Sequence, residues 1–131
     1  MELTGARERR WLLFDKSALV CGADIDDAYG EPCLCAITRL EVLYSARSAR
    51  AYEDLETELD VFHQLRVDAE TIATALTAQR ELATHSQHRV PIPDLLIAAC
   101  AHQHQAAVLH VDRHYETLAR VLAFVPVRLA V

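Results

Sequence analysis

Glycine is nearly missing from this chain of 131 residues, which has only Gly5, Gly22 and Gly30. No phosphate-cradling loop of the nucleotide-binding kind can be built from three scattered glycines, so a nucleotide-binding α/β domain is set aside. Cys21, Cys33, Cys35 and Cys100 lack the CxxC spacing of zinc or redox sites. Cys100 falls in an apolar helical stretch, and free packed thiols are expected rather than a disulfide framework. No apolar run approaches the ~18 residues that span a bilayer. The opening MELTGARERR carries charges where a signal peptide needs an apolar stretch. A cytoplasmic protein with no membrane partner is therefore expected. Linker-like Gly-rich or Pro-rich segments are also lacking, and 52% hydrophobic with 24% charged residues suits one globular domain over residues 1–131. Basic charge is scarce too. The net charge of −6 argues at first against nucleic acid as a partner. Four acids neutralised by divalent cations would leave roughly −2 before the cations' own remaining charge, and Arg7, Arg9 and Arg10 make the start locally basic. A phosphodiester substrate stays open.

What the chain does have is carboxylates at the ends of its regular elements. The stretch PIPDLLIAACAHQHQAAVLHVD, residues 91–112, carries two. Pro93 and Asp94 mark a helix start, because proline lacks the amide that a first turn leaves unused and aspartate suits the positive end of the helix dipole. Leu95 to Ala101 is almost wholly apolar, which predicts a helix buried on most sides. After a polar HQHQ turn, Ala107 to Val111 reads as a short strand that stops at Asp112. Near the start, Trp11 to Phe14 has the length and continuity of a central parallel strand, and Asp15 ends it. Ser17 is placed as the cap of a helix beginning at Ala18.

Asp24, Asp26 and Asp27 suit a solvated polar segment. Cys33 to Ile37 predicts a second strand, and Thr38 with Glu41 has the spacing of a capping box at the helix that follows. Leu55, Leu59 and Phe62 recur at helical spacing with Glu53, Asp54, Glu56, Glu58 and Asp60 mostly on the other faces. Leu65 to Val67 suits a short strand. Asp68 then caps a helix whose core face is assigned to Ile72, Ala75, Leu76 and Ala83. A helix over His114–Leu122 and an edge strand over Phe124–Leu129, where Pro126 is tolerable, complete the chain. The alternation gives an α/β sandwich with a mainly parallel sheet.

Asp15, Glu41, Asp94 and Asp112 come from four separate elements, and each follows a strand or opens a helix. Right-handed crossovers bring such positions to one sheet edge, where open parallel sheets bind their ligands. Each acid alone has a plain structural explanation: Asp94 as a dipole partner, Glu41 as a cap, Asp15 and Asp112 as turn residues. Gathered together they would repel, and each buried charge costs several kcal/mol unless it is paired. Cations relieve that cost. Oxygen-rich ligand sets select Mg²⁺ or Mn²⁺, which can activate water against a phosphodiester.

LLFDKSAL, ITRLEVLYSAR, IPDLLIAACA and VLHVDRHYETLA, in this order across nearly the whole chain, resemble the PIN-domain nucleases and, within them, the VapC-type toxins of toxin-antitoxin pairs. The resemblance implies a PIN-like three-layer sandwich and a metal-dependent endoribonuclease acting on RNA. Its metal-holding acids would be Asp15, Glu41, Asp94 and Asp112, with Ser17 supporting the first motif. It also implies a homodimer neutralised by a small VapB-type antitoxin whose tail occupies the active-site groove. The chain departs from the family pattern twice. His114 stands where many relatives carry a further acid, and Val111 stands where a small hydroxyl or amide residue is common. Imidazole at 114 weakens a second metal position or favours Mn²⁺ over Mg²⁺. Lys16 and Arg113 flank the acids and could meet substrate phosphate.

Two other classes compete. His85 with His88 and His102 with His104 suggest zinc, although neither pair comes with a catalytic glutamate or paired cysteines. A PIN-like module that binds RNA or a protein without cutting is the other.

Overall fold

The computed structural model describes residues 10–20 and 30–129. Strand β1 (Trp11–Phe14) lies at the centre of a five-stranded sheet ordered β3-β2-β1-β4-β5, with β2 (Glu31–Cys35), β3 (His63–Leu65), β4 (Ala107–His110) and β5 (Val125–Arg128). Every pairing is parallel. A central parallel strand is covered on both faces, which is why WLLF reads as a continuous apolar run. Leu12, Leu13 and Phe14 are indeed buried.

Side chains alternate between two cores, as the two-residue period of a strand requires. Leu13, Cys33, Cys35 and Val108 face a layer made by α4 (Ala69–Ala83), α5 (Ile92–His104) and α6 (His114–Leu118). Leu12, Phe14, Leu34 and Leu109 face α1 (Lys16–Val20), α2 (Ala36–Tyr44) and α3 (Ala49–Leu59). The three-layer sandwich is therefore present, and among the described residues its sheet is wholly parallel. Cys33, Cys35 and Cys100 are free and buried, as expected. No helix among the described residues is long and apolar enough to cross a membrane. Cys21, Asp24, Asp26 and Asp27 lie outside the described residues.

Several local assignments shift. β2 ends at Cys35 rather than Ile37, so α2 begins two residues earlier and Cys35 holds its cap position. The Thr38–Glu41 box consequently does not form. Thr38 is fully buried and its hydroxyl donates to the Phe14 carbonyl at 2.9 Å, joining α2 to the central strand. Ser17 lies within α1 and is not its cap; Asp15 accepts the Ser17 amide at 3.0 Å instead. α4 keeps its Asp68 cap, completed by Thr71, but its core face is Thr71, Ala75, Ala78 and Leu82. Ile72 and Leu76 point outward, at 44% and 61% exposure, and Ala83 is exposed as well. β3 comes two residues before the expected Leu65–Val67. The polar His102–His104 stretch stays in α5, which Gln105 ends in the left-handed conformation at φ 57°.

Gly30 is needed where it stands. Its φ is +139°, and a Cβ there would sit 2.4 Å from the Arg10 carbonyl oxygen. The same carbonyl accepts the Glu31 amide at 2.8 Å, so β2 is entered only by close backbone approach.

β1 connects to β2 on one side and neighbours β4 on the other, so the strand order reverses beside β1. The crevice beyond the carboxyl ends of β1 and β4 is the switch point at which such sheets take ligands.

Candidate metal centre

Asp15 directly follows β1, and its amide still reaches the Leu109 carbonyl of β4 at 3.0 Å. Its carboxylate folds back over the first turn of α1. Oδ2 accepts the Ser17 amide at 3.0 Å and the Ser17 hydroxyl at 2.6 Å. The same hydroxyl accepts the Val111 amide at 3.0 Å, so one side chain holds the ends of β1 and β4 together. Asp112, two residues beyond β4, donates its amide to His110 Nδ1 at 3.0 Å and accepts the His114 amide at 3.0 Å. It thus holds the first amide of α6 while presenting its carboxylate to the crevice. Asp94 occupies the first turn of α5, buried at 8% exposure. Glu41, half-buried in the second turn of α2, faces the same space.

The four acids line one open cavity of about 450 Å³ together with Lys16, Ser17 and Val20. His114 adds a further donor. Its Nδ1 lies 2.7 Å from Asp112 Oδ1 and 3.2 Å from Asp94 Oδ2. The donor atoms of Asp94, Asp112 and His114 fall within 4.8 Å of one another, the spacing of a shared ion. Arg113 is exposed and does not line the cavity, whereas Lys16 does.

The electrostatics follow from crowding. Burial, then the charges of Asp15 and Asp112, push the Asp94 carboxyl up to about 6, with His114 opposing. Burial and Asp15 also raise Glu41, with Lys16 opposing. Like charges held together in a partly desolvated site disfavour ionisation, and a bound cation removes that cost. Two carboxylates and an imidazole beside two further carboxylates suit a hard or borderline divalent ion. The donor set fits such an ion on its own chemistry.

Two buried residues at the site were not anticipated. Tyr115, fully buried, donates its hydroxyl to Asp15 Oδ1 at 2.8 Å and lies 3.4 Å from Asp94 Oδ1. His110, also fully buried, holds the Asp112 amide. Because His110 Nδ1 accepts, its proton sits on Nε2, 3.3 Å from Glu116 but too poorly aligned for a hydrogen bond. Burial pulls the His110 pKa down, so this contact is not an ion pair at neutral pH. Apolar spacing of Tyr115, Leu118 and Leu122 in the segment after Asp112 could have placed the tyrosine inside. Nothing in one sequence would have aimed its hydroxyl at two acids from other elements.

The histidines suggested for zinc do not assemble. His102 Nδ1 accepts the Ala123 amide at 2.9 Å, and His104 Nε2 lies 2.9 Å from the Arg66 carbonyl. His85 and His88 are exposed beyond α4. Among the described residues, the three-donor group that forms contains none of them.

The PIN-domain family model matches residues 11–121, a span containing all four acids. The chain belongs to the PIN-domain family, in its VapC branch. This PIN domain is 43% identical over 122 residues to ribonuclease VapC17 of Mycobacterium tuberculosis, covering 85% of this chain and 88% of that one. It is 44% identical over 91 residues to ribonuclease VapC18 of the same organism, covering 67% and 66%. Among solved structures, it matches VapBC-5 from M. tuberculosis with a TM-score of 0.71 at 21% identity, over 92% of this chain and 99% of that one. DNA-bound VapBC from Salmonella typhimurium gives 0.73 at 16% identity, over 91% and 98%. At those identities the two structures speak for the PIN fold alone.

Proposed function

We propose that this PIN domain is a divalent-metal-dependent endoribonuclease toxin of the VapC type, neutralised by a small VapB-type antitoxin. The observation that carries the reading is the convergence of Asp15, Glu41, Asp94 and Asp112, from four elements, on one cavity. Its kinship with proteins named ribonuclease VapC17 and VapC18 supports RNA as the substrate. The antitoxin is carried over from VapBC-5, a member of the VapBC family of toxin-antitoxin systems, on a shared fold joined to the VapC kinship.

Asp15, Asp94 and Asp112 hold the ion, with Glu41 completing the set and His114 as an added or alternative donor. When bound, a divalent cation lowers the pKa of an attacking water and stabilises charge on the phosphate. The residues do the rest. Ser17 fixes the Asp15 carboxylate. Lys16, on the cavity wall, is placed to meet a non-bridging phosphate oxygen. Glu41, on the same cavity wall, closes the ring of acids around the space an incoming water would enter. Mg²⁺ and Mn²⁺ both suit the oxygens, and the imidazole of His114 tilts the choice towards Mn²⁺.

A homodimer in the cytoplasm completes the reading. Leu40 and Tyr44, 63% and 89% exposed on α2, offer apolar surface for a partner, while Leu43 is core. The test is RNA cleavage by the purified protein with Mg²⁺ or Mn²⁺, with EDTA, and with Asp15→Asn. Cleavage that needs metal and is lost in the folded variant is expected. RNA binding with no metal-dependent cleavage would leave a non-catalytic module.

A further inference from the structure

We infer that Tyr115 is a positioning residue of the metal centre, its phenol fixing which lone pair of Asp15 faces the ion. This rests on the metal-dependent reading above. A carboxylate offers about four lone pairs in all. Ser17 occupies both positions on Asp15 Oδ2 through its amide and hydroxyl. Tyr115 takes one on Oδ1 at 2.8 Å. One lone pair on Oδ1 is left for a cation, and its direction is set once the phenol is in place. A phenol has a single hydrogen, which goes to Asp15; the 3.4 Å approach to Asp94 Oδ1 is correspondingly weak. Two acids, one just after β1 and one in α5, thus meet at this phenol, Asp15 by its hydrogen bond and Asp94 by approach alone.

The ring itself cannot drift. Tyr115 is fully buried, its centroid 4.8 Å from that of His110 and 6.4 Å from that of Phe124 in an edge-on contact. A purely packing role would be met by phenylalanine. Burying a hydroxyl costs free energy that a packing role does not repay, and here its one close donor contact is a carboxylate of the cavity. Residues that orient metal ligands commonly change metal affinity or activity by about 10–100-fold when removed.

Tyr115→Phe keeps the ring and removes only that donor. Mn²⁺ titrations of the native and variant proteins, followed by the electron paramagnetic resonance of free Mn²⁺, are run beside thermal melts in EDTA. The expected result is Mn²⁺ affinity about 10–100-fold weaker with the melting transition retained. Affinity within twofold of the native protein, or tighter, overturns the inference. Absence of Mn²⁺ binding by the native protein would instead overturn the metal-centre reading itself. Should the variant melt far below the native protein, the native phenol decides. Its hydroxyl proton, shielded and bonded to Asp15, is expected in the NMR spectrum of the metal-free protein and should shift on adding Mg²⁺. A proton that exchanges too fast to see, or that ignores a bound ion, overturns the inference.

Discussion

Replacing Asp94 by Asn should make the metal-free protein more stable at neutral pH while removing its metal-dependent activity. Asp94 is pushed from 3.8 to about 6 by burial and by the charges of Asp15 and Asp112. Its side chain is only 11% exposed, so little of that effect is lost to solvent. A folded-state pKa above the unfolded one means the native protein holds more protons between about pH 4 and pH 6, and stability falls as pH rises through that window. With 1.36 kcal/mol per pKa unit, the ionised carboxylate costs the apo fold about 1 kcal/mol at pH 4.5 and about 3 kcal/mol at pH 7.5. An amide has the same shape and no charge, and can still meet both Tyr115 and His114. Urea denaturation in EDTA at the two pH values measures the difference. The Asn variant should gain about 2 kcal/mol more at pH 7.5 than at pH 4.5, and Mn²⁺ should stabilise the native protein but not the variant. A variant less stable than the native protein at pH 7.5 without metal, or a gain that ignores pH, would refute the picture of crowded acids.

Gly30→Ala should cost about 1–3 kcal/mol, because a methyl group there meets the Arg10 carbonyl and the φ is unsuited to an L side chain; a thermal melt unchanged from the native protein would contradict this. Thr38→Val should cost about 1–3 kcal/mol by leaving the Phe14 carbonyl without its buried donor, as chemical denaturation would register. Leu82→Ala should cost about 2–5 kcal/mol whereas Leu76→Ser should stay within about 0.5 kcal/mol, and equal losses in the two would return α4 to the face first assigned to it.

Asp15, Asp94 and Asp112 were legible because each sits at a change of periodicity, where a strand stops or an apolar helix begins, whereas Glu41 lies a turn inside α2 and was reached through a capping box that does not form. β1 and β4 were legible for a related reason, as short apolar runs closed by an aspartate, and β5 as a mostly apolar run at the edge where Pro126 is tolerable. Thr38 was misread because a capping box is defined by where the preceding strand ends, and β2 stops two residues sooner than its apolar pattern. α4 was turned the wrong way because Ile72, Ala75, Leu76, Ala78 and Leu82 spread apolar character around most of the helix, so only the neighbouring α5 and sheet choose the buried stripe. For Tyr115, spacing could place the ring in the core but could not aim its polar end. Its hydroxyl meets residues 100 and 21 positions away in sequence, and only the assembled layers bring those together.

The borders of the sheet limit how another polypeptide can engage it. Leu129 donates its amide inward to His110, so by the two-residue alternation the amides of positions 126 and 128 face outward from β5. One of those positions is Pro126, which has no hydrogen to give, and the other carries the charge of Arg128. At the opposite border β3 spans only three residues. Among the described residues, a foreign strand would find few backbone partners at either margin to extend the ladder, which leaves visitors the helical flanks or the mouth of the acidic crevice.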